Sequence, residues 1–91
     1  MYILDVRRPG EFDTEHLINA ESKPLDFINN WIGDIDRSKI YYVHCKRGYR
    51  SVVAASILKA KGIHSIVNVE GGYDEISKTQ APKTSLVYEK L

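Results

Sequence analysis

One cysteine stands in a short run of cations: Cys45-Lys46-Arg47-Gly48-Tyr49-Arg50-Ser51. A free thiol ionises near pKa ~8.5, and neighbouring cations or a helix N-terminus lower that value by one to several units. Lys46, Arg47 and Arg50 all act in that direction. A thiolate formed this way is a nucleophile at neutral pH without a dedicated base. The same surroundings would stabilise a further negative charge carried on the sulfur, as a persulfide or a thiophosphate-like ester. Gly48 allows the backbone to curl tightly enough for several N–H groups to converge. The bland alternative is a buried, inert cysteine, which is how most free cysteines occur.

The flanking residues say how such a loop is held. Ile40-Tyr41-Tyr42-Val43 is an apolar and aromatic run of the kind that suits a buried parallel strand. From Val52 to Lys61 the pattern turns helical, with Val53, Ile57 and Ala60/Lys61 on one face and Ala54 and Leu58 beside it. Gly62 stands at the usual stop position. A strand-to-helix crossing of this kind aims consecutive N–H groups and the positive end of the helix dipole at the sulfur. His44 precedes the cysteine directly, but adjacent strand residues face opposite sides, so a Cys–His pair is not expected there. It reads instead as a strand-end histidine bonded to backbone, His16 as a structural residue near a turn, and His64 as a surface residue. One cysteine and three scattered histidines give no metal-ligand spacing, and no cofactor is implied.

Ninety-one residues make one domain, near the small end of what a single core supports. Thirteen basic against twelve acidic residues leave a net charge of +1, so no global field favours nucleic acid or an anionic membrane. The six tyrosines show no regular interleaving with bases, which further disfavours nucleic acid. A single cysteine excludes a disulfide scaffold and fits a reducing compartment. With no leader pattern and no long apolar run, a cytoplasmic chain is expected.

In chain order, 1–6 reads as a strand that begins at the first residue, which suggests a piece cut from a longer protein. Arg7-Arg8-Pro9-Gly10 breaks it, and a helical turn follows through Glu11-Phe12-Asp13. The stretch 16–20 resumes as an extended piece in which Asn19 tolerates a left-handed kink. Ser22-Lys23-Pro24 caps a helix with Leu25, Ile28 and Ile32 inward and Trp31 on its flank, ended by Gly33. After the cysteine loop and its helix, 63–69 is another strand. Gly71-Gly72 marks a tight loop, and a short helix starts at Tyr73. Gln80-Ala81-Pro82-Lys83 breaks it, and 84–91 is either a final strand or a frayed tail. Short apolar strands alternating with helices argue a small α/β domain with a central parallel sheet flanked by helices. Ligands bind such sheets at the carboxyl ends of the strands, where loops 7–11, 45–51 and 70–73 should converge.

Four separated motifs closely resemble the rhodanese family. They are Asp5-Val6-Arg7-Arg8-Pro9-Gly10-Glu11-Phe12, then His16-Leu17 with Ala20, then Tyr42-Val43-His44-Cys45-Lys46-Arg47-Gly48-Tyr49-Arg50-Ser51, then Gly62-Ile63 with Val69-Glu70-Gly71-Gly72-Tyr73. The match runs from position 2 to about 77 in the family's order. This resemblance implies a rhodanese-like α/β fold and sulfurtransferase chemistry through a cysteine persulfide. On that basis Cys45 would carry the sulfur, and the N–H groups of residues 46 to 51 would cradle it. Lys46 and Arg47 would help bind an anionic donor such as thiosulfate, and Arg50 would close the loop. Asp5, Arg7 and Glu11 would fix its neighbourhood. The family usually has glycine where Asn19 stands, and often an aromatic at the position of Ile76. Its usual first strand and helix are absent ahead of Asp5, so one sheet edge should lie open unless 84–91 or a neighbouring domain covers it.

Spacing separates two chemistries. Tyrosine and dual-specificity phosphatases, including those on this fold, place five residues between cysteine and arginine. Here four residues separate Cys45 from Arg50, and Ser51 stands where a phosphatase would need arginine. Three equatorial phosphoryl oxygens need a wide ring of donors, whereas one outer sulfur fits a narrower one. The leading expectation is transfer of a sulfane sulfur from a small anionic donor to a thiophilic acceptor such as cyanide or a thiol. The rivals are a persulfide relay serving a protein partner, a non-catalytic regulatory module, and, behind these, a phosphatase.

Overall fold

The computed structural model describes residues 1–84 of the chain. It runs β1 (Tyr2–Asp5), α1 (Pro9–Thr14), β2 (His16–Leu17), β3 (Ala20–Ser22), α2 (Ile28–Trp31), β4 (Tyr41–His44), α3 (Tyr49–Ala60), β5 (Ile66–Asn68), α4 (Gly72–Ile76) and β6 (Lys83–Thr84). Single 3-10 turns, Leu25–Phe27 and Ile32–Asp34, bracket α2. Four strands form one parallel sheet in the order β3-β1-β4-β5, flanked by helices as expected. A separate antiparallel pair joins β2 to β6.

Alternation along the strands builds the core. Leu4 pairs in register with Val43 and Tyr2 with Tyr41, so β1 and β4 turn matching residues to one face. There Leu4, Val6, Tyr41 and Val43 meet Ile28 and Trp31 of α2, Ala54 and Leu58 of α3, and Ile63. The other face presents Ile3 and Tyr42, which with Leu17, Val69 and Ile76 line an apolar hollow of about 190 Å³.

Several elements depart from the sequence reading. The helix expected from Ser22 onward is a broken series of turns, and Ser22 itself ends β3 rather than capping a helix. Trp31 is buried in the core instead of lying on a flank, and its indole N–H donates to Pro24 O at 2.8 Å. The extended piece after His16 divides into β2 and β3 at Asn19, whose φ of 72° is the left-handed kink foreseen. Ile40 is exposed, and the strand takes His44 in its place. The strand expected at 63–69 shrinks to β5, with Ile63 buried ahead of it. α3 begins three residues earlier than Val52, so Tyr49, Arg50 and Ser51 form its first turn. Its buried face is Ser51, Ala54, Ala55 and Leu58, while Val53 and Ile57 lie only half-buried. Apolar residues encircle this helix, so periodicity alone could not choose the inward side. Of the segment 84–91, Thr84 pairs with His16 in β6 and not along the main sheet; residues 85–91 lie outside those described. No helix among the described residues is long and apolar enough to cross a membrane.

The burial pattern of α3 can be tested directly. Leu58→Ala removes a fully buried side chain and should cost about 2–5 kcal/mol. Val52→Ala, on the exposed side, should change stability by less than ~0.5 kcal/mol. Urea unfolding of both variants checks the pair, and equal losses would mean that α3 is turned differently.

Candidate functional site

Loops 7–11, 45–51 and 70–73 meet at the carboxyl end of the parallel sheet. Cys45 follows β4 directly and is a free thiol, 1% exposed. Its sulfur nonetheless faces a cavity of about 180 Å³ lined by Cys45, Lys46, Arg47, Tyr49 and Arg50. Gly48 N–H donates to Sγ at 3.1 Å, and the Ser51 hydroxyl lies 3.5 Å from the sulfur. Gly48 caps α3 with φ 108°, a conformation that side chains resist, so the cap brings its own amide onto the thiol. The positive end of a twelve-residue helix stands behind that amide.

Burial pushes the Cys45 thiol up, but hydrogen bonds outweigh it and hold the thiol below its ordinary value. They come from the Ser51 hydroxyl and from the amides of Ser51, Gly48 and Arg47. In the thiol state Ser51 Oγ accepts from sulfur and donates to Gly48 O at 3.2 Å. In the thiolate the same hydroxyl can rotate to donate to sulfur, a charge-assisted bond.

The other loops hold this arrangement in place. Tyr73 N–H donates to Cys45 O at 2.7 Å, and Asp74 N–H donates to Lys46 O at 2.9 Å. These bonds turn the two carbonyls away from the thiol and toward α4. Gly72, with φ 56°, makes the approach possible: a methyl group there would collide with Cys45 O and come within 2.6 Å of Lys46 O.

The remaining residues singled out from the sequence fall into two charged groups. Asp5 and Arg7 are buried together, with Arg7 Nε and Nη2 donating to the carboxylate at 2.9 and 2.8 Å. Arg7 also donates to Glu15 O at 2.8 Å and lies 4.1 Å over the Tyr73 ring. Glu11 binds Arg50 through both oxygens, at 2.7 and 3.2 Å. The Arg50 hydrogen bond holds the Glu11 carboxyl down at about 2. Arg47 pairs with Asp74 at 3.3 Å on the surface, while Lys46 is exposed at the cavity. Tyr49 is exposed at the rim. Asp5 and Arg7 therefore touch no atom of the thiol and act through Tyr73 and the strand ends.

His44 lies on the side of β4 away from Cys45, with Nδ1 3.1 Å from Cys45 O and Nε2 3.6 Å from Asp5 Oδ2. Burial depresses its pKa, against the opposing pull of the Asp5 carboxylate. His16 stacks on Phe12 at 3.6 Å, and His64 is exposed. The sequence reading did not single out Tyr73 as a site residue, nor Glu15, which accepts the Tyr73 hydroxyl at 2.7 Å. The glycine pair before Tyr73 was a signal for the first. Nothing in the local pattern marked Glu15.

Comparison with known proteins agrees with this architecture. The rhodanese-like domain model matches residues 1–79. The chain is 34% identical over 71 residues to the uncharacterized protein YqhL of Bacillus subtilis, covering 78% of this chain and 56% of that protein. It is 30% identical over 82 residues to the probable adenylyltransferase/sulfurtransferase MoeZ of Mycobacterium tuberculosis, covering 88% of this chain and 21% of that one. The chain thus spans about half or less of these relatives' length. A rhodanese-like domain protein from Staphylococcus aureus superposes with a TM-score of 0.75 at 38% identity, covering 79% of this chain and 70% of that one. The parallel sheet, the glycine-capped helix behind the thiol and these matches lead to one conclusion: the chain belongs to the rhodanese-like domain family, whose members include sulfurtransferase-related proteins.

Proposed function

We propose that this domain transfers a sulfane sulfur through a persulfide on Cys45. The observation that carries the reading is the Gly48 N–H aimed at Sγ at 3.1 Å, on the floor of a cavity of only about 180 Å³. A loop that lowers the pKa of a thiol also favours a negative terminal sulfur bound to it, since the same donors serve both. In the first half-reaction the Cys45 thiolate attacks the outer sulfur of a donor such as thiosulfate. The donor's S–S bond breaks and sulfite leaves with the electron pair, giving Cys45–S–S⁻. In the second, an acceptor such as cyanide attacks the terminal sulfur, and the Cys45 thiolate leaves as thiocyanate forms. No proton or outside electron is needed in either step, and the kinetics are ping-pong.

Lys46 and Arg47 attract the anionic donor, and the amides of Arg47, Gly48 and Ser51 hold the charged sulfur. Asp5 and Arg7 fix Tyr73, and so the carbonyls behind the loop. A phosphatase reading fits less well, because both oxygens of Glu11 hold Arg50 and only four residues separate it from Cys45. One observation favours a relay in which the donor is a protein: the matched region is only 21% of MoeZ and 14% of the tRNA sulfurtransferase of Haemophilus ducreyi.

Intact mass separates these readings. Thiosulfate should add one sulfur atom to the protein, cyanide should remove it, and Cys45→Ser should accept none and lose all transfer. A domain that gains sulfur only from a protein persulfide is a relay, and turnover by Cys45→Ser would sink the mechanism. Lys46→Ala and Arg47→Ala should each raise the thiosulfate KM ~two- to fivefold, with kcat little changed. The rate of Cys45 alkylation by iodoacetamide should titrate below the ordinary thiol value, because the folded loop favours the thiolate. Ser51→Ala should move that midpoint upward, and an unmoved midpoint would mean that the hydroxyl does not bond the sulfur.

A further inference from the structure

The three loop cations do not contribute equally to the charge around Cys45. Arg47 is paired with Asp74, and Arg50 is held by both oxygens of Glu11. The two pairs differ in kind. The Arg47 side chain is 79% exposed, so solvent already weakens that contact, whereas the Arg50 and Glu11 side chains are 29% and 30% exposed. A bidentate, half-buried pair fixes the direction of the guanidinium as well as its charge. Arg50 lines the cavity over Cys45, and Glu11 lines a neighbouring cavity of about 400 Å³. Their ion pair therefore joins the lining of one cavity to that of the other.

We propose that Glu11 is a specificity-determining residue: it withholds Arg50 from anions bound over Cys45, so that the cavity tolerates a singly charged sulfur but holds tetrahedral dianions poorly. Resting on the persulfide reading, this assigns the donor class. A donor bearing one negative charge, such as a persulfide on another thiol, is favoured over a dianion, thiosulfate included. With the Arg50 charge offset by Glu11 and two of its five N–H groups taken, a dianion relies mainly on Lys46 and the loop amides. A terminal sulfur with one charge needs no more than those amides.

The test reads the cavity without sulfur transfer, so it stands whether or not the persulfide reading does. Iodoacetamide alkylates Cys45 as the sulfur displaces iodide, and inorganic phosphate slows this when it occupies the cavity. In Glu11→Gln, phosphate should protect at a concentration about fivefold lower than in the parent, an effect that shrinks as salt rises. The ratio of iodoacetate to iodoacetamide rates should rise with it. Adding Arg50→Gln to Glu11→Gln should cancel both gains, because they come from the released guanidinium. Asp74→Asn, which frees the exposed Arg47, should give a smaller gain. Glu11→Asp keeps the charge but is one methylene too short to hold both nitrogens, and should shift protection in the same direction by less. It decides the matter where Glu11→Gln does not fold. Unchanged phosphate protection in the folded Glu11 variants, or a gain that survives loss of Arg50, would overturn the proposal.

Discussion

Two backbone hydrogen bonds, from Tyr73 N–H to Cys45 O and from Asp74 N–H to Lys46 O, are what the site depends on. A peptide unit has two ends. Tying its carbonyl to one side aims the following amide to the other, because the unit is planar. The Cys45 and Lys46 carbonyls are therefore turned outward, toward α4, and the Arg47 amide that follows Lys46 O inward, toward the thiol. Side chains supply none of this polarity. It requires close approach of two backbones, and Gly72 is the residue that permits the approach. The neighbouring charges act on a loop whose direction is already set.

The buried ions serve that geometry in turn. Asp5 and Arg7 are a costly pair to bury, and their value lies in fixing position more than in stabilising the fold. Arg7 spans the end of β1, the Glu15 carbonyl and the Tyr73 ring, so it ties α1 to α4 across the mouth of the sheet. Tyr73 is then anchored twice, by its hydroxyl on Glu15 and by the guanidinium on its ring. Its amide is the one that holds Cys45 O. A chain of contacts thus runs from the first strand to the thiol loop without any of its charged atoms meeting the sulfur.

The sequence made the central loop easy to read and the helices around it harder. A cysteine between an apolar strand and a helix, followed by glycine and cations, carries its own local signal in 45–51. Asn19 and the glycines at 62, 71 and 72 were legible for a similar reason: all four take positive φ, which few residue types adopt without strain. The segment after Ser22 was misread because Leu25, Ile28 and Ile32 fit a helical face, while the Trp31 indole, buried and bonded to Pro24 O, holds the run as single turns. The start of α3 was missed for the opposite reason. Arg50 and Ser51 look like loop chemistry, yet they are helical residues whose first turn is the loop's floor. Pairings that join distant loops, such as Glu15 with Tyr73 and Arg47 with Asp74, leave no periodic trace. Their members look like ordinary surface residues until the fold brings them together.

Depth and charge pull the thiol in opposite directions, and the balance explains why so small a loop suffices. A residue this buried should hold its proton, since leaving water penalises the ion. Each donor aimed at sulfur offsets part of that penalty, and in a poorly solvated hollow each counts for more than it would in water. The same reasoning limits what the hollow can take. Every added unit of negative charge brings its own desolvation cost, and the Arg50 charge is already offset in part by Glu11. On the persulfide reading proposed above, a cavity of about 180 Å³ with amides at its floor and exposed Lys46 at its edge is matched in charge as well as in size to a single added sulfur.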